Sequence, residues 1–177
     1  LARDLTVHAN SDVEYVQRTA DGWLVHADPV QEYSPFQALI IAMPAQQAER
    51  LVEKHLAELP NLLPDSMASW CVVARLSQPS AIKFDVLRFD ADNHESGILS
   101  AAYRESSKPG RAGNSERWTI YSTPAWAAAH LQLCPDAAAA SLLNAFRNQL
   151  DLGVAVETRV AHRWSYARPS RQHPREC

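Results

Sequence analysis

Glycine is scarce in this 177-residue chain. The five glycines, Gly22, Gly97, Gly110, Gly113 and Gly153, form no G-x-G-x-x-G run. The tight turn that brings a backbone up to a dinucleotide pyrophosphate at a helix N-terminus is therefore not legible. Cysteine is equally sparse: Cys71, Cys134 and Cys177 are odd in number and far apart, forming neither a CxxC metal pair nor a disulfide framework. That usage fits a reducing compartment, and a cytoplasmic location is expected. No apolar run approaches the roughly 20 residues of a membrane-crossing helix, and no signal-peptide pattern opens the chain, so no membrane contact is expected. With a net charge of −3, a pI near 6.2 and no basic block, no nucleic-acid partner is expected either. The seven histidines contain no HxH, HxxxH or HExxH pair, which argues against a metal site. No serine or cysteine sits in a GxSxG elbow, so nucleophilic hydrolysis has no support.

What remains is an ordinary globular inventory, 46% hydrophobic and 21% charged, long enough for one domain with a real core. The chain starts at Leu1 in mid-pattern and ends in the polar, turn-rich SRQHPREC, which reads as a piece of something larger. Val13–Arg18 and Trp23–Ala27 read as strands joined through Asp21-Gly22. Ala38–Met43 (ALIIAM), stopped by Pro44, has the continuous apolar character of a strand buried on both faces. Ala48, Leu51, Val52, His55, Leu56 and Leu59 then share one helical face, which predicts a helix over Ala45–Leu59 ended by Pro60. Leu62–Ser66 reads as a loop. Trp70–Leu76, Phe84–Phe89, Ile98–Arg104 and Arg117–Ser122 read as antiparallel strands, with Glu105–Ser115 as a loop. Thr123-Pro124 makes an N-cap and first turn for a helix over Ala125–Leu131. Pro135 opens a stronger helix, Asp136–Leu150, carrying Leu142, Leu143, Phe146 and Leu150 on its buried stripe. Val154–Trp164 alternates cleanly, with Val154, Val156, Val160, His162 and Trp164 on one face. The sum is an α+β fold: an antiparallel sheet of about five or six strands with helices on one side, preceded by a small β-meander.

Two tracts carry more aromatic surface than a small core needs. Each holds an Arg-Trp doublet, Arg117-Trp118 in SKPGRAGNSERWTIYSTPAWAAAH and Arg163-Trp164 in AHRWSYARP. An arginine beside a tryptophan can lie on an aromatic plane or hold an anion. Two such strands side by side would wall an aromatic pocket; the plainer reading is a half-buried sheet face covered by arginine stems. Lys108 and Arg111 flank a Pro-Gly turn, and are read either as a phosphate or carboxylate contact or as a solvated turn. His162 is the one histidine singled out as a site candidate, because it neighbours the second doublet.

The segments ALIIAMPAQQAERLV (Ala38–Val52), SSKPGR (Ser106–Arg111), ERWTIYSTPAWAAAHL (Glu116–Leu131) and AHRWSYARP (Ala161–Pro169), in that order and spacing, resemble the renalase-like family of FAD/NAD(P)-dependent amine oxidoreductases. The likeness runs from about Leu1 to Pro169. It implies that 1–44 is a remnant of an FAD-binding domain, holding the meander and the buried strand, that 45–169 is the substrate domain, and that 170–177 is a tail. It also implies FAD as the cofactor and a small-molecule substrate, a small amine or dihydronicotinamide-type compound whose electrons pass to oxygen or another acceptor. By the same resemblance Val13 meets the adenine through its backbone, and Ala42 and Pro44 pass the cofactor. Arg163, Trp164 and Tyr166 approach the flavin, while Arg117 and Trp118 line the substrate side. Tyr121 and His162 complete the candidate substrate-binding set.

The departures from the family pattern bear on the cofactor. The glycine-rich fingerprint is missing, and so are the closing Gly-Asp segment and final helix. This chain alone is therefore expected not to retain FAD and to be inactive by itself. Missing FAD-domain segments or a second copy in a homo-oligomer would complete it. The alternative is a non-enzymatic α+β domain that binds an aromatic or anionic ligand, or a protein partner.

Overall fold

Gly22 fixes the first structural event. Its φ of +140° and the carbonyl of Phe36, which a Cβ there would meet at 2.5 Å, both require glycine. The computed structural model describes residues 4–28, 31–55, 65–89, 97–111, 113 and 115–170. The chain divides into two units, Leu1–Ser66 with Ser170–Cys177, and Met67–Pro169.

In the first unit, β1 (Asp12–Thr19), β2 (Gly22–Asp28) and β3 (Gln31–Phe36) form an antiparallel meander in that order. Helix α1 (Ala45–Val52) starts at Pro44, whose carbonyl accepts from the amides of Gln47 and Ala48 at 2.9 Å. It buries Leu51 and Val52 against Val16, with Val13, Trp23, Val25, Leu39 and Ile41 around them. His55 lies beyond the helix, its Nε2 2.9 Å from the Val16 carbonyl and its ring edge-on to Trp23.

Three expectations change here. Ala38–Met43 is not a strand: only Leu39 and Ile41 pack on the small core, while Ile40 is 95% exposed. A strand buried on both faces needs a hydrogen-bonded neighbour on each side, and no described strand pairs with this segment. The meander takes its third strand from Gln31–Phe36 instead, where Pro35 is tolerated because β3 is an edge. Helix α1 ends at Val52 and is followed by a turn; Leu56, Leu59 and most of the expected Leu62–Ser66 loop lie outside the described residues. The division falls after Ser66 and not after Pro44, because α1 packs on the meander.

The second unit is a five-stranded sheet of order β5-β6-β7-β4-β8, built from β4 (Ser66–Leu76), β5 (Val86–Arg88), β6 (Leu99–Arg104), β7 (Arg117–Ser122) and β8 (Val156–Pro169). The pairs β5–β6, β6–β7 and β7–β4 are antiparallel. Thr123 caps α2 (Pro124–Ala129) by accepting from the Trp126 amide at 3.2 Å, and Pro124 and Pro135 open α2 and α3 (Pro135–Gln149). Period-two alternation sends Trp70, Val72, Ala74 and Leu76 of β4, Trp118 and Ile120 of β7 and Ala102 of β6 to the helix side. There they meet Ala138, Leu142, Leu143 and Phe146 of α3 and Ala127 of α2. The architecture is α+β, as the sequence indicates. Among the described residues no helix is long and apolar enough to cross a membrane.

Phe146 is fully buried, with its ring 5.5 Å from that of Trp118. Phe146→Ala should cost about 3–5 kcal/mol of unfolding free energy, whereas Val160→Ala, at an exposed position of β8, should stay within about 0.5 kcal/mol. Urea denaturation of both variants checks this; equal losses would contradict the assigned core.

Candidate functional site

The same alternation leaves the opposite face of the five-stranded sheet without a described helix of its own unit. Its register follows from the pairs Cys71↔Tyr121, Val73↔Thr119 and Arg75↔Arg117 across β4 and β7, Ala101↔Tyr121 and Tyr103↔Thr119 across β6 and β7, and Arg88↔Ala101 across β5 and β6. Tyr103 and Tyr121 meet edge-to-face, 5.9 Å between ring centroids. On β8, Trp164 donates from Nε1 to the Cys71 sulfur at 3.3 Å, which places it on this open face, and it is 51% exposed. A cleft of about 450 Å³ opens there, lined by Ser69, Arg88, Ser100, Ala101, Tyr103, Glu105, Lys108, Tyr121, Ala167 and Arg168.

Glu105, in the short 3-10 turn Glu105–Ser107 that follows β6, organises one rim. Lys108 donates to it at 2.7 Å, Thr119 at 3.0 Å, and Arg111 pairs with its other oxygen. Burial alone would raise its pKa. The hydrogen bonds from Lys108 and Thr119 and the charges of Lys108 and Arg111 outweigh that, so the carboxyl sits below the ordinary glutamate range. The Lys-Pro-Gly-Arg turn thus folds back onto a carboxylate, as one sequence reading of Lys108 and Arg111 allowed, and that carboxylate belongs to the chain itself, Glu105. Tyr121 is pushed the other way: burial first, then Cys71, Glu105 and Tyr103, raise its phenol pKa, and it stays a protonated donor.

The candidate residues do not gather as the sequence suggested. Trp118 is 0% exposed on the helix side, so it belongs to the core and cannot line a pocket in this structure. Its indole donates to Glu116 at 2.6 Å, and the Arg104 guanidinium lies 5.0 Å over its ring. The two Arg-Trp strands are not side by side, because β4 runs between them, and Trp118 and Trp164 occupy opposite faces. Arg163 reaches the helix side, where it lies 6.0 Å from the Trp70 ring centre and donates to the Leu131 carbonyl, tying β8 to the chain between α2 and α3. His162 packs edge-on to Trp164 at 4.6 Å, and Tyr166 is exposed two residues beyond Trp164. Arg117 joins Tyr121 on the open face and lines a second cleft with Val73, Glu105, Gly110, Arg111 and Thr119. In the first unit, Val13 packs beside the small core next to a bulge in β1, Ala42 is exposed, and Pro44 caps α1.

Sequence reading missed Tyr103, Glu105, Arg88, Arg168 and Glu116. Only Glu116 carried a signal, its position two residues before a tryptophan on one strand face. Its carboxylate, on a residue 8% exposed, accepts from the Ser80 amide at 2.6 Å, the Ser80 hydroxyl at 2.7 Å and the Trp118 indole, with Arg104 Nε at 3.6 Å. Burial would raise its pKa; the Ser80 and Trp118 hydrogen bonds and the Arg104 charge take it below the ordinary value. Among the described residues no cluster of His, Cys, Asp and Glu could hold a metal ion.

A depressed carboxyl pKa stabilises the fold fully above the ordinary glutamate value of 4.5, and that contribution is lost as pH falls through the folded value. Glu116→Gln should therefore cost about 1–3 kcal/mol at neutral pH and flatten the decline in stability below pH 4.5. Denaturation midpoints measured from acid to neutral pH check both effects; an unaltered acid decline would contradict the role given to Glu116.

No protein-family model matches the chain. Among solved structures it is similar to a protein from Exiguobacterium sp. 255-15 provisionally assigned as a protoporphyrinogen oxidase, with a TM-score of 0.68 and 12% sequence identity. The match covers 90% of this chain and 35% of that one, so the chain spans about a third of its neighbour's length. At that identity the likeness is one of fold.

Proposed function

We propose that this chain is the substrate-domain part of a renalase-like flavin-dependent oxidoreductase, and that the open face of its five-stranded sheet receives the small-molecule substrate. The observation that carries the reading is the cleft floored by the Tyr103–Tyr121 pair and rimmed by Arg88, Lys108 and Arg168 on a face no described helix of the unit covers. A cleft with aromatic walls and a few placed charges is what a cofactor-driven oxidation asks of the protein, since the cofactor carries the redox step. The fold likeness to a protein provisionally assigned as a protoporphyrinogen oxidase supports the same reading. The substrate on this reading is a small amine or a dihydronicotinamide-type compound. The free thiols of Cys71 and Cys134 are in keeping with a cytoplasmic location.

The residues described here do not fit FAD itself. No described glycine stands in a strand-to-helix turn: Gly22 closes a hairpin, and α1, α2 and α3 are preceded by Pro44, Thr123 and Cys134. The pyrophosphate grip is therefore assigned to FAD-domain segments outside the described residues. That misfit favours one second reading, a non-enzymatic α+β domain that binds an aromatic or anionic ligand or a partner.

Two measurements test the proposal. Reduced nicotinamide mononucleotide added to the chain should shift the ring resonances of Tyr103, Tyr121 and Trp164 and leave those of Trp118 and Phe146 in place. Shifts on the helix side, or none, would count against it. FAD mixed with the chain should separate from it on gel filtration, and a one-to-one yellow complex would contradict the missing pyrophosphate grip.

A further inference from the structure

The charge on the open face is lopsided. In a chain of net charge −3, this face and its clefts hold Arg75, Arg88, Lys108, Arg111, Arg117 and Arg168 against Glu105 and Glu157. The carboxylates are already matched: Glu157 pairs with Arg75 at 2.6 Å, and Glu105 with Lys108 and Arg111. Arg88, Arg117 and Arg168 form no ion pair among the described residues. Two of these, Arg88 and Arg168, line the cleft whose floor is the Tyr103–Tyr121 pair. Each is exposed and brings five fixed donors, so neither is needed to neutralise a buried group.

Resting on the reading of this face as the ligand face, we propose that the cleft selects a planar aromatic carboxylate, its ring against Tyr103 and Tyr121 and its carboxylate on Arg88 and Arg168. Guanidinium forks match carboxylate oxygens two to two, and a cleft wall of tyrosine supplies the apolar surface that holds a ring without competing for the charge. A protonated amine meets the opposite field: the carboxylate that could hold it, Glu105, is occupied by three donors. Of the two substrate classes implied by family resemblance, a simple cationic amine is therefore disfavoured. The Tyr121 hydroxyl, which holds its proton, is a further donor to an anion.

Three probes with one ring system separate the alternatives: 2-naphthoate, the neutral 2-naphthylmethanol and the cationic 2-naphthylmethylamine. Each is titrated into the full 177-residue chain, with Tyr103 and Tyr121 ring resonances reporting the place of binding and calorimetry the affinity. The carboxylate should bind at least about tenfold more tightly than the amine, and its affinity should fall as salt is raised. Arg88→Gln combined with Arg168→Gln should weaken the carboxylate about tenfold or more and leave the alcohol unchanged. Both positions are exposed, and an unaltered denaturation midpoint confirms that the variant is folded. Equal binding of carboxylate and amine, or a double variant that binds the carboxylate as well as the parent, overturns the proposal while the ligand face stands. If no probe moves the two tyrosines, the ligand face falls and the proposal with it.

Discussion

The constraint on which everything else depends is the two-sidedness of the five-stranded sheet. A strand must send alternate side chains to opposite faces, and burial of Val72, Trp118 and Ile120 under Leu142 and Phe146 of α3 fixes which set faces in. Once those residues are inside, Cys71, Tyr121, Tyr103 and Thr119 have nowhere else to point than the other face. A one-residue slip of β7 would expose Trp118 and bury Arg117, an exchange the core cannot tolerate. The site is therefore a by-product of core packing as much as of its own residues.

Polar contacts then lock what burial has arranged. Glu116 ties the Trp118 indole to Ser80, while Arg104 covers the same ring and lies 3.6 Å from Glu116, so the start of β7 is held in one polar cluster. Glu105 does the corresponding work at the cleft rim, drawing in Lys108, Arg111 and Thr119. One carboxylate is spent on structure, and the other on placing a loop beside the tyrosines. Both hold their protons less readily than a free glutamate, because their donors outweigh the cost of burial.

Most of the fold was legible in the sequence, because period two and period three-to-four patterns report burial directly. β4, β6, β7, α2, α3 and the first hairpin lie where those patterns put them, within a few residues. Ala38–Met43 misled because a continuous apolar run says that a segment wants burial, not that a pairing partner is present. The candidate site was legible only in part. Local sequence cannot tell which face of a strand carries a helix, so Trp118 and Trp164 looked equivalent when one is core and the other open. Nor can it bring Arg88 of β5 and Arg168 of β8 to one cleft, because they stand at opposite edges of a sheet ordered by tertiary pairing. The arginines beside the tryptophans were the visible signal, yet neither covers its neighbour: Arg163 lies beside Trp70 of β4, and the ring of Trp118 is covered by Arg104 of β6.

Hydroxyl-radical footprinting of the isolated chain, read residue by residue by mass spectrometry, tests this two-sidedness most directly. Trp164 and Tyr166 should be oxidised readily, while Trp118 and Phe146 on the helix side should be protected until the chain unfolds. Protection of Trp164 and Tyr166 equal to that of Trp118 would mean the face is closed, and the account of a ligand-receiving sheet would be wrong.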